Sequence, residues 1–265
     1  MSNVKRKFML LIQCISEFFG TGLIIFFSSS YIASLRLTHG FNNSWKISVI
    51  LGLSTCIAIY LSLFISGAHL NPIITLSFFL FFNFNKKKII PYILSQILGS
   101  FCFSAIVYKL YYDVLIKFEA QNKILRGSLD SLNLASIFSC FPNKNISMLQ
   151  IFVIETIITF IFILIIIFLN DHENFFVFKI TFSPILVGIL VFLINFIVSP
   201  FTNFILNPAH DIGSRTFIYL SGWGKIVFTN GSNITHFFIP ILGTMLGSIM
   251  SVYFYKYIKK YIFCN

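Results

Sequence analysis

Charge is what this 265-residue chain has least of. Asp, Glu, Lys and Arg make up 10% of it, against about 25% in soluble domains, and only 8 residues are acidic. With 57% hydrophobic residues and a mean hydropathy of +0.89, that scarcity excludes a water-soluble globular domain. The 5 cysteines, Cys14, Cys56, Cys102, Cys140 and Cys264, are odd in number and scattered through apolar runs. Their placement excludes both a disulfide framework and a metal-ligand spacing. No nucleophile and base, phosphate loop or metal cluster is spaced for catalysis, so neither an enzyme nor a cofactor is expected. The net charge of +11 comes from basic residues lying between apolar runs rather than interleaved with aromatics on a polar face. That arrangement points away from nucleic acid and toward a lipid bilayer.

What the chain has instead is long apolar runs. Crossing a ~30 Å hydrocarbon core takes ~20 residues of helix, and runs of that order lie at 8–31, 46–66, 89–112, 147–169, 181–202 and 236–258. The first comes after Lys5-Arg6-Lys7, contains Glu17 and lacks a small-x-small cleavage site, so it reads as an uncleaved span rather than a signal peptide. Two further stretches, beginning at Asn71 and Asn207, are apolar for about a dozen residues before "NFNKKK" and "SGWG" end them. At ~1.5 Å per residue each reaches about half way across. They are predicted to be re-entrant half-helices. Lysine and arginine concentrate at the amino terminus, at Lys86 to Lys88, at Lys179 and at Lys256, Lys259 and Lys260. By the positive-inside rule both termini are cytoplasmic, and the 113–146 segment is an extracytoplasmic loop.

Placing the spans exposes a repeat. Asn71-Pro72 comes 54 residues after Glu17, and Asn207-Pro208 comes 52 after Glu155. Each half, 8–112 and 147–258, contains three full crossings, so the second enters from the opposite side. The expected fold is an all-α membrane protein, a single domain over 1–265. It has six transmembrane helices and two half-helices in an inverted repeat whose amino-terminal ends meet near the midplane.

Asn is a favoured helix N-cap and Pro a favoured first helical residue, so Asn-Pro is a helix-start signal. If each asparagine oxygen caps its own helix, each NH2 is left as a donor toward whatever lies between the half-helices. The stretches before them must be irregular, which at membrane depth requires a cavity or protein burial. A ladder of carbonyl acceptors beside two donors and two positive helix ends repels cations and passes neutral solutes. The symmetric Glu17 and Glu155 are expected to accept from backbone N–H groups of the re-entrant segments; a proton relay is the other reading of a membrane carboxylate. A secondary transporter shares this layout but needs a coupling-ion site. The symmetric glutamates are the one candidate.

The stretches "SEFFGTGLIIFFSS", "SWKISVILGL", "SGAHLNPIITLSFF", "RGSLDSLNLASIFSCFPN" and "NPAHDIGSR" together resemble the bacterial glycerol uptake facilitators, in the aquaglyceroporin branch of the major intrinsic proteins. The resemblance covers residues 8 to 258. It implies an aquaporin-like bundle and a homotetramer in the inner membrane with one pore per protomer, passing glycerol, water and related small neutral solutes. It implies that Asn71 and Asn207 are the pore asparagines and that the carbonyls of Gly67, Ala68, His69, Asn203, Phe204 and Ile205 form the ladder. Trp45 and Phe204 fall on the aromatic wedge of the selectivity filter, with Asp211 after the filter residue. Three departures stand out: His210 stands in place of an arginine, Asn195 where the glycerol branch has a glycine and water-selective members a histidine, and Ile73 in place of an alanine. Arg215 lies about 140° round the helix from His210 and is expected to pair with Asp211. Neutral histidine keeps one N–H donor, and Asn195 is placed to restore another. Either the filter is rebuilt and still passes glycerol, or a narrower or leakier pore favours water and other small solutes. Since histidine titrates near pH 6.5 in isolation, acidification is expected to place a cation in the constriction. Gly243 and Gly247 permit close helix contact, within or between protomers.

Overall fold

The computed structural model describes residues 3–38, 44–142, 145–171, 182–199 and 205–262, and every regular element among them is helical. The elements are α1 (Asn3–Leu37), α2 (Ser44–Ser66), α3 (Pro72–Phe82), α4 (Lys86–Leu110), α5 (Tyr112–Asn122), α6 (Leu132–Ala135), α7 (Met148–Asn170), α8 (Ser183–Val198), α9 (Pro208–Ile218), a π-turn (Tyr219–Trp223), α10 (Ile226–Thr229) and α11 (Thr235–Ile262). Five of them, α1, α2, α4, α7 and α11, are long and apolar enough to cross a membrane. The fifth expected span, 181–202, is described over the 16 residues of α8, its remainder lying largely outside the described residues.

The half-helices form where the capping chemistry starts them. The Asn71 side chain accepts from Ile73 N at 2.9 Å and that of Asn207 from Ala209 N at 3.1 Å, and α3 and α9 each run for 11 residues. Asn83, in a left-handed conformation, ends α3, and the Asn85 side chain caps α4. The segment expected to be a loop over 113–146 is partly helical. Its α5 buries Leu115, and Arg126 clasps Glu119 at 2.8 Å while its guanidinium lies 4.2 Å from the centre of the Trp223 ring. Burial pulls on that guanidinium, but Glu119 and Tyr108 hold its pKa above the ordinary arginine value.

In the bundle α1 lies along α4 and α2, α7 lies along α11, and α2 crosses α8. The half-helix α9 seats against α4, and α3 against α4 and α11. The crossings are close because glycines remove side chains. A Cβ on Gly52 would stand 2.6 Å from the Gly188 carbonyl, and one on Gly188 2.7 Å from that of Gly52. Gly243 and Gly247 likewise face the α7 backbone at Phe152 and Thr156, so this pair of glycines serves packing within the protomer. Gly247→Leu is therefore expected to unseat α11 from α7. Overpacking of this kind typically costs about 1–3 kcal/mol, which thermal melting of the detergent-solubilised protein would register as a lowered midpoint.

Candidate functional site

Between the helices runs a cavity of about 330 Å³. Three helices each give it a stripe spaced four residues apart: Ile24, Ser28, Ile32 and Arg36 on α1; Ile47, Leu51, Thr55 and Ile59 on α2; Val187, Val191 and Asn195 on α8, continued by Ser199. Residues at i and i+4 share a helix face, so each stripe is one face turned inward. The other wall is polar and irregular. It is made by Ala68 to Asn71, by Ile205 to Asn207 and His210, and by Ser136 to Cys140.

The polar wall rests on the two buried glutamates. Glu17 Oε1 accepts from His69 N at 2.9 Å and Ser66 Oγ at 2.6 Å, and Oε2 from Leu70 N at 2.6 Å and Gln96 Nε2 at 2.8 Å. Glu155 accepts from Ile205 N at 2.6 Å and Leu206 N at 3.4 Å. These N–H groups have no helical partner because the chain is turning. Gly67, Ala68, Leu70 and Leu206 all have positive φ, of 90°, 50°, 51° and 47°. For a residue with a Cβ that conformation costs roughly 1–2 kcal/mol, and it is tolerated where the surroundings over-determine it.

At the centre the two half-helices are joined crosswise. Asn71 Nδ2 donates to Leu206 O at 3.0 Å, and Asn207 Nδ2 donates to Leu70 O at 2.8 Å. Each NH2 has a second hydrogen, and both asparagines line the cavity. Pro72 and Pro208 stand at the first helical positions of α3 and α9. Of the expected ladder, Ala68, His69 and Ile205 line the cavity; Gly67 instead closes α2 by donating to Leu63 O and is not in the wall. Asn203 and Phe204 lie outside the described residues.

His69 is braced rather than presented. Its Nδ1 lies 3.1 Å from Thr75 Oγ1, and its ring packs against Phe78, Phe84 and Tyr92. Ile73 does not touch the cavity; it is 2% exposed in a core with Ile158, Phe162 and Ile163, and its neighbour Ile74 lines the wall. The departure at 73 is a packing change.

Trp45, the other expected wedge residue, adjoins residues 39–43, which lie outside the described residues. It is 52% exposed at the start of α2 and does not line the cavity. Two residues before Ile47, it is rotated by about 200° from the inward stripe. The side chains that α2 presents to the cavity are Ile47, Leu51, Thr55 and Ile59.

His210 faces the cavity with its Nε2 3.2 Å from Phe138 O. A carbonyl only accepts, so Nε2 carries the hydrogen, and the neutral ring has a lone pair at Nδ1. Its one donor is spent on the protein, which sequence reasoning did not anticipate. Arg215 makes no approach to the lumen. It donates from Nε to Asp211 Oδ2 at 2.7 Å, from Nη1 to Val227 O and from Nη2 to Cys140 O, and is 1% exposed. Asp211 also accepts from Ser139 Oγ at 2.6 Å. The pair thus pins the 138–142 segment whose carbonyl holds His210. Burial pushes the pKa of the Cys140 thiol up, so the cavity wall carries a neutral thiol there.

Residues 4–255 match the family described as Major intrinsic protein. The chain is 45% identical to a glycerol uptake facilitator protein of Buchnera aphidicola, over 96% of this chain and 97% of that protein. It is 42% identical to the glycerol uptake facilitator protein of Escherichia coli, with 96% and 90% covered, and 39% identical to a propanediol uptake facilitator of Citrobacter freundii, with 96% and 94%. Among solved structures, the aquaglyceroporin of Plasmodium falciparum matches with a TM-score of 0.80 at 27% identity, over 93% of this chain and 95% of that one. Two crosswise-joined half-helices beside a continuous cavity are what a major intrinsic protein is built around, and this chain belongs to that family.

Proposed function

We propose that this chain is a passive channel for glycerol and related small neutral solutes. The observation that carries the reading is a cavity with two unlike walls. Stripes of α1, α2 and α8 that are mostly aliphatic face a wall of irregular backbone and the side chains of Asn71 and Asn207. A polyol has an apolar carbon edge and a hydroxyl edge that both donates and accepts, and it fits that slot. Two half-helix amino termini add ~+0.5 charge each beside the path and oppose cations and protons. Passive conduction along a preformed path, with no bond made or broken, is not enzymatic.

The same layout supports the rest of the reading. The protein sits in the cytoplasmic membrane with both termini cytoplasmic, as the basic ends of the spans favour. Repeats 8–112 and 147–258 flank the extracytoplasmic segment 113–146. Exposed apolar residues such as Leu53, Leu61 and Leu246 face lipid and neighbouring protomers of a homotetramer. Asn71 and Asn207 are the central donors, and Trp45, Asn195, Phe204 and His210 shape the filter. Asp211 and Arg215 brace it.

The Ile47, Leu51 and Ile59 side chains of the α2 stripe favour a second reading. An aliphatic side chain in the wall is less selective for a carbon chain than an aromatic ring, which suits a broader pore for water and small solutes.

Stopped-flow light scattering of proteoliposomes separates these. Glycerol flux is expected to rise linearly with the gradient and to ignore imposed proton or sodium gradients. Saturation or ion dependence would establish a transporter instead. Glycerol flux no higher than in empty vesicles, with water flux retained, would establish the water-preferring pore.

A further inference from the structure

The filter has lost its permanent cation, and the ring that replaces it gives its only N–H to Phe138 O. A solute oxygen crossing this part of the cavity still needs a donor. A side chain placed to supply one is Asn195, on the inward stripe of α8.

An amide has a donor end and an acceptor end, and which end faces the lumen depends on what holds the other. Ser48, fully buried on α2, donates from Oγ to Asn195 Oδ1 at 2.7 Å. That bond commits the carbonyl end to the protein and leaves the NH2 end for the cavity. It can form because α2 and α8 cross at Gly52 and Gly188, each within contact of the other's carbonyl. Ser48 stands four residues before Gly52, one turn from the closest approach.

We propose that the donor of the constriction is the uncharged Asn195 amide, with Ser48 as the positioning residue that fixes its orientation. The proposal rests on reading this cavity as a glycerol path. It gives the pore a neutral donor where a guanidinium would have stood.

The test compares glycerol, urea and water permeabilities of proteoliposomes of the full chain. Ser48→Ala frees the amide to turn, and Asn195→Leu keeps its bulk without a donor. Each is expected to lower the glycerol-to-water ratio by about fivefold, the loss of one ordinary hydrogen bond. Ser48→Thr keeps the hydroxyl and is expected to restore the ratio that Ser48→Ala loses. Asn195→Asp, which turns the lumenal donor into an acceptor, guards against misfolding of Asn195→Leu; its ratio is expected to fall in the same direction. A ratio within twofold of the parent protein in both Ser48→Ala and Asn195→Asp overturns the proposal. So does a fall in Ser48→Ala that Ser48→Thr fails to reverse. If the parent protein passes no glycerol, the functional reading fails by itself. The donor is then tested on the urea-to-water ratio of the same variants, because urea's carbonyl needs the same donor, and an unchanged ratio overturns it.

Discussion

Glu17→Ala is expected to abolish both glycerol and water flux and to leave a protein that falls apart on mild heating in detergent. One carboxylate accepts four bonds here, two of them from the backbone of His69 and Leu70. Leaving a buried donor unpaired costs about 1–3 kcal/mol, so the two backbone groups alone remove a large part of the 5–15 kcal/mol typical of a native domain. The same substitution releases Gly67, Ala68 and Leu70 from their left-handed conformations. Once free to relax, they no longer hold the Ala68 to Asn71 wall of the cavity in place. Glu155→Ala is expected to act in the same direction but less, since its described bonds are those from Ile205 and Leu206. Heating followed by size-exclusion chromatography measures the loss of stability, and stopped-flow scattering the loss of flux. A proton relay at Glu17 would instead leave thermal stability where it was, and that outcome would sink the bracing role.

The second large effect concerns the buried ion pair. Asp211 and Arg215 are 2% and 1% exposed and lie one turn apart on α9. Arg215→Met leaves Asp211 with Ser139 but no cation, and breaking a buried pair from one side typically costs about 3–5 kcal/mol. The variant is expected to express poorly and to melt well below the parent protein. Replacing both partners, Asp211→Leu with Arg215→Met, removes the stranded charge and is expected to recover most of the melting temperature. It should not recover selectivity, because Cys140 O and Val227 O have also lost their donor and the 138–142 segment is no longer pinned. A double variant with normal glycerol-to-water discrimination would show that the pair holds the fold alone.

Some of this architecture is legible in the sequence because it is local chemistry. Asn-Pro starts a helix wherever it stands, and "NFNKKK", a dozen residues on, holds the first half-helix to half the length of a span. The matched spacing of Glu17 and Glu155 ahead of the two boxes carries the repeat. The rotation of α2 is not legible. A helix that faces lipid on one side and protein on the other is apolar all round, so no stripe of polarity says which side is inward. The inward stripe of Ile47, Leu51, Thr55 and Ile59 went unread among equally apolar neighbours for that reason. His210's partner was hidden for a different reason. Phe138 lies 72 residues earlier, and a backbone carbonyl leaves no trace in residue type. The Ser48 to Asn195 bond spans 147 residues, across a crossing that two glycines mark only after the helices are placed.

The crosswise asparagine bonds carry one more consequence, for biogenesis. The first half of the chain supplies Leu70 O and receives its donor from the second, and the second supplies Leu206 O on the same terms. Neither half alone holds a finished path. The cavity wall is therefore completed only when both halves have inserted and docked.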